Sequence, residues 1–227
     1  MKRIVVQELL DNDSGTAEEV EDSLTDLKML NRWFGGVRVT TALLRRVAEQ
    51  KRLGTASLLD VAGASGYVVT QSRESLRKTG IALDPVVLDR VPAHLGSNFP
   101  SVCGDALAMP FADNSFDVVT CSLFVHHLEP PEIVQFVNEA LRVSRHAFII
   151  NDLIRHPLHW ITAMAGRLIY RSRLTRFDAP ASVRRAYTTR EMRDILEKTS
   201  AVRHEISESY FFRMGVIAWK PQSTTLP

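Results

Sequence analysis

Apolar residues recur along this chain with two periods. Val20, Leu24, Leu27 and Leu30 stand at helical spacing behind Thr16-Ala17-Glu18-Glu19, a capping-box pattern, and together they predict a first helix. Asn31-Arg32-Trp33-Phe34-Gly35-Gly36 ends it, and a second helix is expected over about 39–51. Residues 1–15 read as a loose arm, and Trp33 and Phe34 as core anchors, with substrate contact as the alternative. The pattern then changes. Residues 56–61 are apolar on both sides, as in a central parallel strand. Further strands are expected within 80–88, at 101–103, over 116–121 and over 147–151, with helices after Gly66 to about 78 and from Pro130 to about 144.

Alternation of apolar strands with helices predicts an α/β chain with a doubly wound, mostly parallel sheet. Beyond residue 151 the rhythm breaks. An apolar helix is expected over 157–170, then an arginine-rich stretch to Tyr187. A second capping box, Thr188 with Glu191, opens a helix to about 198. Residues 202–207 and 211–219 read as a closing antiparallel pair. The resulting division is an arm and two helices over 1–52, either simple packing or a lid over a pocket, a main domain over 53–220 with an insertion at about 156–187, and a disordered tail over 221–227.

The stretch Leu58-Leu59-Asp60-Val61-Ala62-Gly63-Ala64-Ser65-Gly66 reads as strand, tight loop and helix start. Small residues let backbone approach a ligand, and a helix start offers unpaired N–H groups. In doubly wound sheets ligands lie at the carboxyl ends of the strands. Asp60, Asp89, Asp105 and Ser122 all fall at or just past such ends. Several acids on successive strands read as a site.

Composition changes this picture little. The chain has 227 residues, 45% hydrophobic and 24% charged, which is ordinary for a globular protein. Cys103 and Cys121 have no metal or disulfide spacing and read as core thiols in a reducing cytoplasm; no metal site is expected. Neither a signal peptide nor a spanning helix is expected. Charge adds more. Between Arg155 and Arg193 nine arginines face only Asp178 and Glu191, so that segment carries +7 and the rest −5 of a net +2. A solvated face, an anionic acceptor, and a membrane surface met by an interfacial helix (Leu158, Trp160, Ile161, Met164, Leu168, Ile169) are the readings it leaves open.

The most specific stretch is Cys103-Gly104-Asp105-Ala106-Leu107-Ala108-Met109-Pro110-Phe111-Ala112-Asp113-Asn114-Ser115-Phe116-Asp117-Val118-Val119, followed by His126-His127-Leu128 and Arg142-Val143. This combination resembles the class I S-adenosylmethionine-dependent methyltransferases, in particular the type 11, ubiquinone-biosynthesis-like small-molecule group. The resemblance spans about residues 57–152 and implies a Rossmann-like seven-stranded sheet with an N-terminal lid, and S-adenosylmethionine as cofactor. It implies that Asp60 holds the loop and the methionine ammonium, that Asp89, followed by Arg90, receives the ribose hydroxyls, and that Asp105 and Ala106 receive the adenine. Ser122 then lines the methionine side. Asp84 is the rival to Asp89. The loop departs from the family's Asp-x-Gly-x-Gly-x-Gly: Ala62 and Ala64 occupy the first two glycine places, Gly66 matches and Gly63 is added. Either the loop tolerates alanine or Gly63 absorbs the turn.

Methyl transfer from a sulfonium is an in-line displacement that needs alignment and desolvation. A hydroxylated acceptor also benefits from a base, for which His126 and His127 are candidates, with a loop-structural role as the alternative. Tyr187, with Arg184 and Arg185, is a candidate for the acceptor side, with a structural role flanking the helix as the alternative. The expected reaction is methylation, with oxygen favoured, of a small phenolic or otherwise hydroxylated apolar molecule by a monomer or homodimer. Nucleic acid is disfavoured because Ser122-Leu123-Phe124 is not the base-methylating motif. A nicotinamide oxidoreductase and a non-catalytic binding protein are the alternatives; the first lacks its glycine fingerprint.

Overall fold

The computed structural model describes residues 1–12, 14–209 and 211–221; the tail expectation for 222–227 lies outside these. Strands β1 (Thr55–Val61), β2 (Ala82–Asp89), β3 (Ser101–Cys103), β4 (Phe116–Ser122) and β5 (Ser144–Leu153) run parallel. β7 (Arg213–Trp219) runs antiparallel between β5 and β6 (Arg203–Ser209), in the order β3-β2-β1-β4-β5-β7-β6. The chain reverses its direction of winding between β1 and β4, so the carboxyl ends of these strands frame a crevice.

Period-two burial explains the layers. Leu58, Val118, Ile149 and Ile217 point to the face covered by α2 (Gly36–Lys51) and α3 (Tyr67–Arg77). Leu59, Val119, Phe148 and Val216 point to the opposite face, covered by α4 (Pro130–Val143) and α7 (Thr189–Leu196). Both faces are covered, which is why the strands read as continuous apolar runs.

The remaining elements roof the carboxyl ends. The first helix, α1 (Ala17–Trp33), carries the predicted capping box but continues through Trp33, which is 65% exposed and no core anchor. Asp26 of α1 accepts the backbone N–H groups of Arg171 and Ser172, and Ser23 bonds Thr175 at 3.0 Å. These contacts tie α1 to α6 (Arg173–Arg185), which follows α5 (Pro157–Gly166). The N-terminal arm is docked rather than loose. Ile4 donates to Arg184 O, and Leu9 and Leu10 donate to the Asp178 carboxylate at 2.7 and 3.0 Å.

The arginine-rich segment divides. Arg155 is buried, bonding Glu191 at 2.6 Å and Ala186 O at 2.7 Å, whereas Arg167, Arg171 and Arg176 are exposed near Leu158, Ile161, Leu168 and Ile169. No described helix is long and apolar enough to cross a membrane. Cys121 is buried, but Cys103 is exposed and is not a core thiol.

Candidate functional site

The loop after β1 resolves the question posed by its alanines. Ala62, Ala64 and Gly66 all adopt left-handed backbone, with φ of 54°, 46° and 67°. Gly63 does not; it is small for another reason. A Cβ there would stand 2.5 Å from Asp60 Oδ2. The alternating turn is therefore kept with alanine at two of three left-handed positions. Each costs about 1–2 kcal/mol, against about 0.4–1 kcal/mol saved in the unfolded chain. Replacing both by glycine is expected to raise stability by roughly 1–2 kcal/mol, a rise in Tm of about 4 °C. A fall in Tm by scanning calorimetry would show that the loop is not strained.

Asp89 locks this loop from β2. Its Oδ2 accepts the Ala64 N–H at 3.0 Å and its Oδ1 accepts the Val91 N–H at 3.0 Å. Each oxygen keeps lone pairs for a further donor. Asp84 lies mid-strand, paired with Ser57, and is exposed. Asp60 is buried beneath the loop and makes no hydrogen bond among the described residues; burial, and then the nearby Asp89, push its carboxyl up to about 7. A buried acid facing a cavity without a donor fits a cationic ligand group, here the methionine ammonium of the implied cofactor. Asp105 accepts from Leu107 N at 2.9 Å, and Ala106 is buried beside it.

These groups line one end of a cavity of about 830 Å³, in the upper part of the range for small-molecule sites, about 300–1,000 Å³. Ala62, Gly63, Ala64, Arg90 and Ser122 also line it; Gly66 lies behind the loop. Leu24, Leu27, Leu30 and Phe34 of the first helix and its end form an apolar wall.

The opposite wall is polar and is built on a short 3-10 turn, Val125–His127. His126 is buried, with Nδ1 2.6 Å from Asp152 Oδ1 and Nε2 3.5 Å from Glu8 Oε1. Burial opposes its charged form, but Asp152 and then Glu8 outweigh that and push its pKa up to about 10. His127 reaches the cavity with a side chain 20% exposed; its Nδ1 lies 3.1 Å from Asp11 Oδ1 and its Nε2 3.9 Å from Glu8 Oε2. Burial works against the charged form of Glu8, yet the two imidazoles hold its carboxyl below the usual range. Tyr187 and Arg184 do not line the cavity: the Tyr187 hydroxyl donates to Leu128 O at 2.7 Å, and Arg184 O takes the arm. Arg185 does line it, bonding Asp11 and His127 O.

Sequence reading passed over Glu8, Asp11, Asp152 and Arg213. Asp152 ends β5 just as Asp60 and Asp89 sit at the ends of β1 and β2, so the same strand-end rule reaches it. Arg213, buried on the cavity wall, donates to Phe34 O at 3.0 Å and keeps Nη1 without a partner. Glu8 and Asp11 carried no signal, being more than a hundred residues from the histidines they meet.

Residues 59–147 match the family described as a methyltransferase domain. A ubiquinone/menaquinone biosynthesis C-methyltransferase from Roseobacter denitrificans is 36% identical over 100 residues, 39% of this chain and 38% of that protein. A demethylmenaquinone methyltransferase from Renibacterium salmoninarum is 36% identical over 94 residues, 39% and 36% respectively. The matched stretch thus spans less than half the length of these curated relatives. The plantazolicin methyltransferase solved with S-adenosylhomocysteine superposes with a TM-score of 0.68 over 94% of this chain and 95% of its own, at 12% identity. A SAM-dependent methyltransferase from Aquifex aeolicus gives 0.53 over 74% and 84%, at 17% identity. The fold is that of the class I methyltransferases, as the resemblance implied.

Proposed function

We propose that the protein transfers the methyl group of S-adenosylmethionine to the oxygen of a small, largely apolar, hydroxylated acceptor. The observation that carries this is the single cavity joining the Asp60–Asp89–Asp105 end to the His126–His127 wall across apolar side chains. The first end suits an ammonium, a ribose and an adenine; the second suits a hydroxyl. His126 has Nδ1 on Asp152 and Nε2 towards Glu8, so it positions the wall. His127, oriented by Asp11 and open to the cavity, is the group placed to take the acceptor's proton. Alignment and exclusion of water supply the rest.

The test is incubation of the purified full chain with methyl-labelled S-adenosylmethionine and a panel of phenols and quinols. A product bearing a new O–CH₃ by NMR supports the reading. A C–CH₃ product would move it to the chemistry in the Roseobacter relative's name. No binding of S-adenosylhomocysteine by calorimetry would overturn it altogether.

Asp60 adds a pH dependence. In the folded protein its carboxyl titrates near 7, above the ordinary value of 3.8, so the native state binds the extra proton between these. Stability of the free protein should fall as pH rises across that window. A methionine ammonium favours the ionised form, so affinity for S-adenosylhomocysteine should rise from pH 5 to about 7 and then level off. Calorimetry across this range is expected to show the slope in the native chain and not in Asp60→Asn.

A further inference from the structure

Two histidines and a glutamate meet at the cavity wall, with both imidazoles turned to one carboxylate at separations longer than close hydrogen bonds. The Nδ1 atoms of His126 and His127 each meet a carboxylate, Asp152 at 2.6 Å and Asp11 at 3.1 Å. Their Nε2 atoms face the two oxygens of one carboxylate, Glu8, at 3.5 and 3.9 Å. These separations exceed the roughly 2.7–3.2 Å typical of N–H···O bonds. Glu8 is 7% exposed, and its Oε1 has no hydrogen-bond partner. One ligand atom from each of Glu8, His126 and His127 lies within 4.8 Å of the others.

Donor atoms about 2.1 Å from a tetrahedral ion lie about 3.4 Å from one another. The nearest contacts, Oε1 to His126 at 3.5 Å and Oε2 to His127 at 3.9 Å, come within about half an ångström of that spacing. Metal-bound histidines characteristically give their other ring N–H to a carboxylate, which fixes the tautomer and orients the ring. Both histidines here have that outer partner. The rings lie 4.2 Å apart between centroids, carried by adjacent residues of the 3-10 turn. Glu8, Asp11 and Asp152 place three carboxylates about the two imidazoles.

We infer that Glu8, His126 and His127 form a site for a first-row divalent cation of the zinc or cobalt class, with Asp152 and Asp11 as its outer carboxylates and an open position facing the acceptor end of the cavity. Two imidazoles and one carboxylate are the donor set of three-ligand sites that retain an exchangeable position. The sequence spacing gave no hint of it, because Glu8 comes from the docked arm. Binding of the ion is independent of methyl transfer. Only its role towards the acceptor rests on the function proposed above: the ion, ligated by His127, would replace it in lowering the proton affinity of the acceptor hydroxyl.

The experiment is titration of the chelator-treated full chain with Zn²⁺ by calorimetry and with Co²⁺ by visible absorption. Binding of one equivalent is expected, with cobalt bands of a low-coordinate nitrogen and oxygen site. Glu8→Gln and His127→Ala should abolish this saturable binding, and Asp152→Asn should weaken it by about 10–100-fold. S-adenosylhomocysteine affinity, measured on the same Glu8→Gln sample, is expected to persist, which separates failure of the ion site from failure of the methyltransferase reading. If the native chain shows no saturable binding of either ion, the histidines are an ion-paired wall only and the inference falls. It falls equally if folded Glu8→Gln and His127→Ala bind as the native chain does. The native-chain titration decides even where a variant does not fold.

Discussion

Asp89→Ala is expected to weaken binding of S-adenosylhomocysteine by about 100-fold or more, close to 3 kcal/mol, since hydrogen bonds to a charged acceptor contribute about 1.5–3 kcal/mol each. Two effects act together. The carboxylate stands at the end of β2 on the cavity, and in the proposed cofactor pose it accepts two ribose hydroxyls in parallel. It also fixes the Ala64 and Val91 N–H groups, and with them a loop that holds two alanines in left-handed backbone. Asp89→Asn separates these roles, because the amide keeps one oxygen acceptor and loses the charge; it should retain an intermediate affinity. Asp84→Ala, on an exposed mid-strand position, should bind as the native chain does. Calorimetry on the three variants reads the result. An Asp89→Ala protein that binds within about threefold of native, roughly 0.7 kcal/mol, would remove Asp89 from the ribose position.

Asp152→Ala should cost stability on the largest scale. The carboxylate is 1% exposed; it pairs with His126 Nδ1 at 2.6 Å and accepts the backbone N–H groups of His126 and Leu153. Removing one partner of a buried pair leaves the other uncompensated, at a cost of about 3–5 kcal/mol. In a chain of this size that is a fall in Tm of about 10 °C. Asp152→Asn, which keeps the shape and part of the hydrogen bonding, should fall less. Thermal unfolding followed by circular dichroism distinguishes them. A Tm for Asp152→Ala within about 2 °C of native would mean the pair adds little to the fold. Because the 3-10 turn that carries both histidines is tied to β5 through this residue, methyl transfer should suffer more than cofactor binding.

Much of the architecture follows from local physics. Strands buried on both faces need apolar residues on successive positions, so the middles of β1, β4 and β5 are legible as apolar runs. The capping boxes at Thr16 and Thr188 are chemical requirements of a helix start, and both hold. Asp60, Asp89 and Asp105 could be read as a set because parallel strands put their carboxyl ends on one edge. Trp33 misled for a physical reason. The helix continues through it and turns it outward, and the helical period cannot say which way a terminal residue faces. The chemistry of Arg184, Arg185 and Tyr187 marks all three for the acceptor side, and α6 directs only Arg185 to the cavity.

The sequence by itself determined the sheet, the acids at its edge and the small-residue loop, because these depend on periods and spacings within a few residues. Tertiary structure alone decided two things. One is that Ala62 and Ala64 take the left-handed conformations, a backbone state that side-chain identity argues against and only closure of the loop onto Asp89 enforces. The other is the polar wall, where the arm brings Glu8 and Asp11 to His126 and His127. No local pattern can encode a meeting between residues separated by more than a hundred positions; it exists only once α6 holds the arm in place through Asp178.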